Sequence, residues 1–184
     1  METPDPDPVV ALVPVGPIID TSFGPEGLAT ATFDSTRRFR FRLSRVWDES
    51  APRCVFAMLN PSTADALVLD PTVRRCVGFA KRWGFGALEV TNVFALRSSD
   101  PKALYTEPDP VGVGNDEALV AAAKAADLVI AAWGVHAVLH AREEHVRQLF
   151  AEAGIDLSYL RLTKDGHPGH PLYVPADTPP SRWV

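Results

Sequence analysis

The sequence predicts an α/β fold, with a mainly parallel central sheet, helices on both faces, and an antiparallel hairpin ahead of it. Three observations predict it. Apolar runs of strand length alternate with segments of helical period, each run stops at a polar loop, and an alternating two-strand segment precedes the first of them.

A chain of 184 residues, 46% of them hydrophobic, can bury one core but does not divide comfortably into two. Residues 1–20 are rich in proline and acid and read as a mobile arm or an edge segment, which leaves residues 21–184 as a single α/β domain. No run approaches the roughly 18 consecutive apolar residues of a membrane span, and the first residues lack the basic start of a signal peptide. A cytoplasmic protein with no membrane partner is expected. Its net charge of −5 disfavours long contact with duplex nucleic acid, which rewards a basic surface that releases counterions.

The first elements are two strands at 29–33 and 39–47 around a turn at 34–36. Their alternation predicts one buried face and an opposite face carrying Arg40, Arg42 and Arg45. Residues 54–59 form a continuous apolar run, expected to be a buried parallel strand, which stops at Asn60, Pro61 and Ser62. Asp70 and Pro71 then open a helix, because aspartate caps free N–H groups and proline suits the first helical position. Val73, Cys76, Val77, Ala80 and Trp83 make its apolar stripe up to Gly84, and Arg74, Arg75, Lys81 and Arg82 fall mostly off it.

The pattern repeats with a strand at 87–94, a helix at 115–126, a strand at 128–133 ending at Gly134, a helix at 137–153 and a strand at 157–162. Cys54 and Cys76 lie inside a strand and a helix, where a thiol behaves as a small apolar side chain. Two cysteines are too few for the usual iron–sulfur cluster. Phosphate-loop, dinucleotide-fold and nucleophile-elbow motifs are all missing, so no cofactor is expected.

In sheets of this kind, ligands collect beyond the carboxyl ends of the strands, where three polar segments converge. In the first, Asn60, Pro61, Ser62, Thr63, Ala64 and Asp65, the asparagine can hold a water or a ligand edge and Asp65 can accept a proton; ordinary turn chemistry explains the same residues. In the second, Asn92 presents a donor and an acceptor to an amide-like edge, with Arg97 and Asp100 following, or else it satisfies stray backbone groups. The third holds His167 and His170 between prolines, a stiffness that suits a side chain aimed at developing charge.

All five histidines lie in the last third, His136, His140 and His145 on or beside the predicted helix, with His136 and His140 at i, i+4. That spacing lacks the glutamate of a zinc-binding H-E-x-x-H helix, Glu143 and Glu144 read as a solvated face, and no metal is expected.

With these residues in place, the chain resembles a bacterial family of proteins of unknown function, number 1643. The resemblance rests on the segments 56–65, 70–76, 91–97, 132–134 and 162–172. More distantly it is similar to the uracil-DNA glycosylase superfamily, whose members also carry a strand ending in an N-P loop, a later T-N strand end and an H-P turn. That likeness implies a three-layer fold in which Asn60 positions the attacking water, Asn92 lies near the base-reading position, and His167 or His170 supports the departing base. Leu59, the Ser62 and Thr63 pair and the additional His170 depart from the glycosylase pattern.

The resulting expectation is an N-glycosidic bond hydrolase acting on a nucleobase, with Asn60, Asp65, His167 and His170 as catalytic candidates. Pro61, Ser62, Thr63, Asn92, Arg97 and Trp133 are the substrate-binding candidates. The expected partner is a small molecule containing a nucleobase, or a single-stranded or flipped nucleic acid, against which Trp133, Phe94 or Tyr173 can pack. The alternatives are a non-catalytic module binding a nucleotide or modified base, and a structural interaction protein.

Overall fold

The computed structural model describes residues 16–24, 27–62 and 70–183. Among these residues eight strands form one sheet: β1 (Ile18–Gly24), β2 (Gly27–Phe33), β3 (Arg40–Val46), β4 (Arg53–Met58), β5 (Ala87–Asn92), β6 (Leu128–Ala132), β7 (Leu157–Tyr159) and β8 (Ser181–Arg182). Three α-helices accompany them, α1 (Pro71–Arg82), α2 (Asn115–Lys124) and α3 (Arg142–Glu152). The strand order is β1-β2-β3-β5-β4-β6-β7-β8.

This order corrects the expected fold class, which was built on a mainly parallel central sheet. Only β5, β4, β6 and β7 run parallel to one another. The pairs β1 with β2, β2 with β3, β3 with β5 and β7 with β8 are antiparallel, so the sheet is mixed. The predicted hairpin does not precede the sheet; it is part of it, since β3 pairs directly with β5 in the register Leu43 to Val90. Alternation reports that one face of a strand is buried, but it carries no information about which strand lies alongside.

Strand β4 sits at the centre, and its two faces feed two cores. Cys54, Phe56 and Met58 join α1 through Val73, Cys76, Val77, Phe79 and Ala80. Val55 and Ala57 join α2 and α3 through Leu119, Ala122, Val146 and Phe150. Stacked rings fix α1 to the sheet, with Trp83 centred 5.3 Å from Phe79 and 6.2 Å from Phe56. Cys54 and Cys76 are free and buried in this core, and burial pushes both thiols well above their ordinary range. No helix among the described residues is long and apolar enough to cross a membrane.

Two local expectations also change. Arg40 and Arg45 are 2% and 4% exposed, not on a solvated face. Arg45 shares the side of Leu43, two residues away, while a register shift at Thr32 and Phe33 places Arg40 opposite Phe33. The helix expected over 137–153 is broken: residues 135–141 form 3₁₀ turns, and α3 begins only at Arg142. His140 and Ala141 both take φ of +54°, so His136 and His140 do not share one continuous helix face.

The start of α3 is anchored by Arg142, which is 4% exposed. Its Nε donates to the Val93 carbonyl at 2.6 Å, and its guanidinium pairs with Asp116 of α2. Arg142→Met removes both contacts and leaves the buried Val93 carbonyl only the longer bond from Asn115 Nδ2, at 3.3 Å; the expected loss is about 1–3 kcal/mol. A lower denaturant midpoint at unchanged slope is the result that checks it.

Candidate functional site

The parallel strands deliver their carboxyl ends to one rim of the sheet, and hydrogen bonds fasten the loops that follow. Val93 and Phe94 N–H donate to the Met58 and Leu59 carbonyls at 2.8 and 2.9 Å, continuing the pairing of β5 with β4 beyond the strands. The Asn60 Nδ2 donates to the carbonyls of Ser98 at 2.9 Å, Pro61 at 3.1 Å and Leu96 at 3.4 Å. Ser98 N–H returns a bond to the Pro61 carbonyl at 2.9 Å. Residues 59–62 after β4 are therefore tied to residues 93–98 after β5.

The last wall comes from the segment after β7. Gly134 N–H donates to the Pro168 carbonyl at 2.8 Å and Gly169 N–H to the Arg161 carbonyl at 2.7 Å, so the H-P segment is held against the end of β6. A side chain at Gly169 would bring its Cβ to 3.1 Å from the Arg161 oxygen, which is why a residue without one suits this crossing.

Between these walls lies a cleft of about 220 Å³. Asn60, Asn92, Ser62, Asp70, Arg40 and His170 supply its polar lining, and Met58, Val73 and Val90 its apolar lining. Asn92 is 2% exposed, and among the described residues its side-chain amide makes no hydrogen bond. A buried donor and acceptor are thus left facing the cleft. Asn60 spends its amino group on the loop carbonyls, which leaves its Oδ1 as an acceptor.

His170 accepts the Leu172 N–H at Nδ1, at 3.3 Å, so the neutral ring carries its proton on Nε2. Burial, partly offset by the negative charge of Asp70, holds its pKa below the ordinary 6.5. Near neutral pH the imidazole is therefore uncharged and offers a donor. Asp70 has each oxygen engaged, Oδ1 by Val73 N–H at 2.7 Å as the cap of α1 and Oδ2 by Ser62 Oγ at 2.7 Å.

The two histidines of the H-P segment separate here. His167 points away into a different contact, its Nδ1 lying 2.6 Å from Glu143 Oε2, and it does not line the cleft. Glu143, expected on a solvated face, has a side chain only 13% exposed. Arg97 lies over the Phe33 ring at 5.0 Å and donates to the Arg37 carbonyl at 3.0 Å. Trp133 is buried against Trp183, and Phe94 is in the same core, while Tyr173 is 80% exposed. Pro61 is buried and carries the carbonyl that Asn60 and Ser98 share. Thr63 and Asp65 lie outside the described residues.

Sequence reasoning missed Arg40, Asp70 and Thr72 as cleft residues. Asp70 was legible only as a helix cap, and nothing in the local pattern marks Arg40 as buried. The chain-order distance from Arg40 to the N-P loop hides their meeting, which depends on the pairing of β3 with β5.

The low His170 pKa has a consequence for stability. The unfolded chain takes up this proton at a higher pH than the folded one, so the contribution is complete above about pH 6.5 and is lost as pH falls towards and through the folded pKa. In an NMR titration the His170 ring is expected to have its midpoint below 6.5; a midpoint at or above that value contradicts the account.

A family model described as "Protein of unknown function (DUF1643)" matches residues 40–172, from the start of β3 through the H-P segment. No curated protein and no solved structure matches the chain. The matched stretch spans most of the chain and includes the cleft residues Arg40, Asn60, Asn92 and His170, so the protein belongs to the DUF1643 family.

Proposed function

We propose that the cleft receives a single nucleobase and that the protein hydrolyses the N-glycosidic bond attaching it. The observation that carries this reading is Asn92, a buried amide with donor and acceptor both unspent, opening on the cleft. Such a group is costly to bury and complements the amide-like edge of a base. The volume is below the roughly 300–1,000 Å³ of pockets for drug-sized ligands, which suits one ring with its sugar outside.

In the proposed reaction, a water oxygen bonds to the anomeric carbon as the bond from that carbon to the base nitrogen breaks. The electron pair of that bond leaves with the base, and the proton of the water ends on the base or in solvent. Asn60 Oδ1 accepts from the water and orients it. The His170 Nε2–H donates to the departing base, and a neutral donor of this kind stabilises the developing charge without first giving up its own proton. Arg40, buried at the cleft, adds positive charge beside the anion. The distant likeness to uracil-DNA glycosylases assigns the same kinds of role to Asn60 and to one histidine of the H-P segment.

A second reading, a non-catalytic module that holds a base, is favoured by one observation. Asp70, the carboxylate among the described lining residues, already accepts a hydrogen bond at each oxygen and is poorly placed to serve as a base.

Chromatographic detection of free base distinguishes the two readings, using uracil-, hypoxanthine- and thymine-mismatch oligonucleotides and the corresponding nucleotides. The hydrolase reading expects release that falls about 10²–10³-fold in His170→Ala and in Asn60→Ala. His167→Ala, if it remains folded, is expected to keep most of the activity. Equal losses at both histidines contradict the assignment to His170, and saturable binding with no release from any substrate selects the binding module.

A further inference from the structure

A second opening lies on the other side of the first turn of α1. It is a groove of about 500 Å³ between α1 and the segment that follows His170, and Arg74, Arg75 and Arg82 line it together with Gly78, Phe79 and Leu172. No carboxylate is among its described lining residues. We infer that this groove binds the phosphate groups of a nucleotide or of a single nucleic-acid strand, with Arg74, Arg75 and Arg82 as the residues that hold them.

The charge distribution carries the inference. In a chain of net charge −5, Arg37, Arg38, Arg42, Arg142 and Arg182 each meet a carboxylate. Among the described residues Arg74, Arg75 and Arg82 meet no carboxylate, although all three face one groove. Three like charges gathered in one groove repel one another, and an anion relieves that repulsion.

Arg75 is also built in place. It donates to the Val174 carbonyl and lies 5.2 Å over the Phe79 ring, while its buried Nε has no hydrogen-bond partner. A planar guanidinium fixed in this way is suited to a phosphate oxygen. Gly78 adds an independent observation. A methyl group there would meet nothing within 4 Å, so packing does not demand a glycine in the middle of a helix, where glycine is unfavourable relative to alanine. A ligand lying along the helix uses that room.

Geometry also sets the size of the ligand. From Arg74 to Arg82 the helix rises about 12 Å at about 1.5 Å per residue. That reach covers several phosphates of a strand but not a long duplex track, in keeping with the acidic surface elsewhere. Pro71 borders the groove while Asp70, Thr72 and Val73 border the cleft, so the two openings share one helical turn.

The test measures binding of tripolyphosphate by calorimetry and of a short labelled oligothymidylate by fluorescence anisotropy over a series of salt concentrations. For the strand, the logarithm of affinity is expected to fall against the logarithm of salt with a slope of about −2, from about −0.7 for each of three phosphates neutralised. The double variant Arg74→Ala, Arg82→Ala removes exposed side chains and is expected to weaken binding roughly tenfold or more and flatten the slope to about −0.7. The control Arg53→Ala, Lys124→Ala removes the same charge elsewhere and is expected to change little.

Binding of the strand alone assigns the groove to phosphodiesters, and binding of tripolyphosphate alone assigns it to the phosphates of a nucleotide. Binding of neither, or equal weakening in variant and control, overturns the proposal. Asn92→Ala is expected to leave tripolyphosphate binding intact, so the groove can stand or fall apart from the base reading of the cleft.

Discussion

The Asn60 side-chain amide is the contact on which the rest of the candidate site depends. By donating to the carbonyls of Pro61, Leu96 and Ser98 it joins the loop after β4 to the loop after β5, two segments that the sheet only brings side by side. Backbone carbonyls at a strand end must be paired or solvated, and a side chain that pairs three of them fastens residues 60–61 to residues 96–98. Beside that junction the cleft has buried Asn92 in its lining, and His170 and Arg40 line the same cleft.

The fold supplies this arrangement through a division of labour across the sheet. The parallel strands β5, β4, β6 and β7 send their carboxyl ends to one rim, where loops are long enough to carry polar groups. The antiparallel strands β1, β2 and β3 extend the sheet past β5, and from there Arg40 reaches the cleft. Helix α1 serves both openings. Its capping residue Asp70 lines the cleft, and its arginines line the groove alongside. A base in one and a phosphate in the other would make α1 the element that reads a nucleotide as a whole.

How far the sequence disclosed this depended on the range of the interaction involved. Local chemistry was legible: Asp70 and Pro71 open α1, and Val73, Cys76, Val77 and Ala80 are buried along it. The apolar run before Asn60 is a central strand, because six consecutive residues without a charge or a turn former can rest only in a core. Pairing between distant segments was not legible. The alternation around Phe41 and Leu43 does not reveal that β3 lies antiparallel to β5, so both the mixed sheet and the burial of Arg40 were missed. Two left-handed residues, His140 and Ala141, broke an expected helix at positions where nothing in their side chains announces it. Asn60, Asn92 and His170, expected from their places after strands, line one cleft, whereas telling His170 from His167 needed the Glu143 contact.

The most direct test of the central claim is an NMR titration of the side-chain amide groups with free uracil, hypoxanthine and thymine. The account predicts that the Asn92 Nδ2 resonances shift saturably with at least one base, while those of Gln148, bonded to Glu152 on the exposed side of α3, stay in place. Absence of any saturable change at Asn92, with the protein folded and each base near its solubility limit, would contradict the claim that the cleft is a nucleobase site.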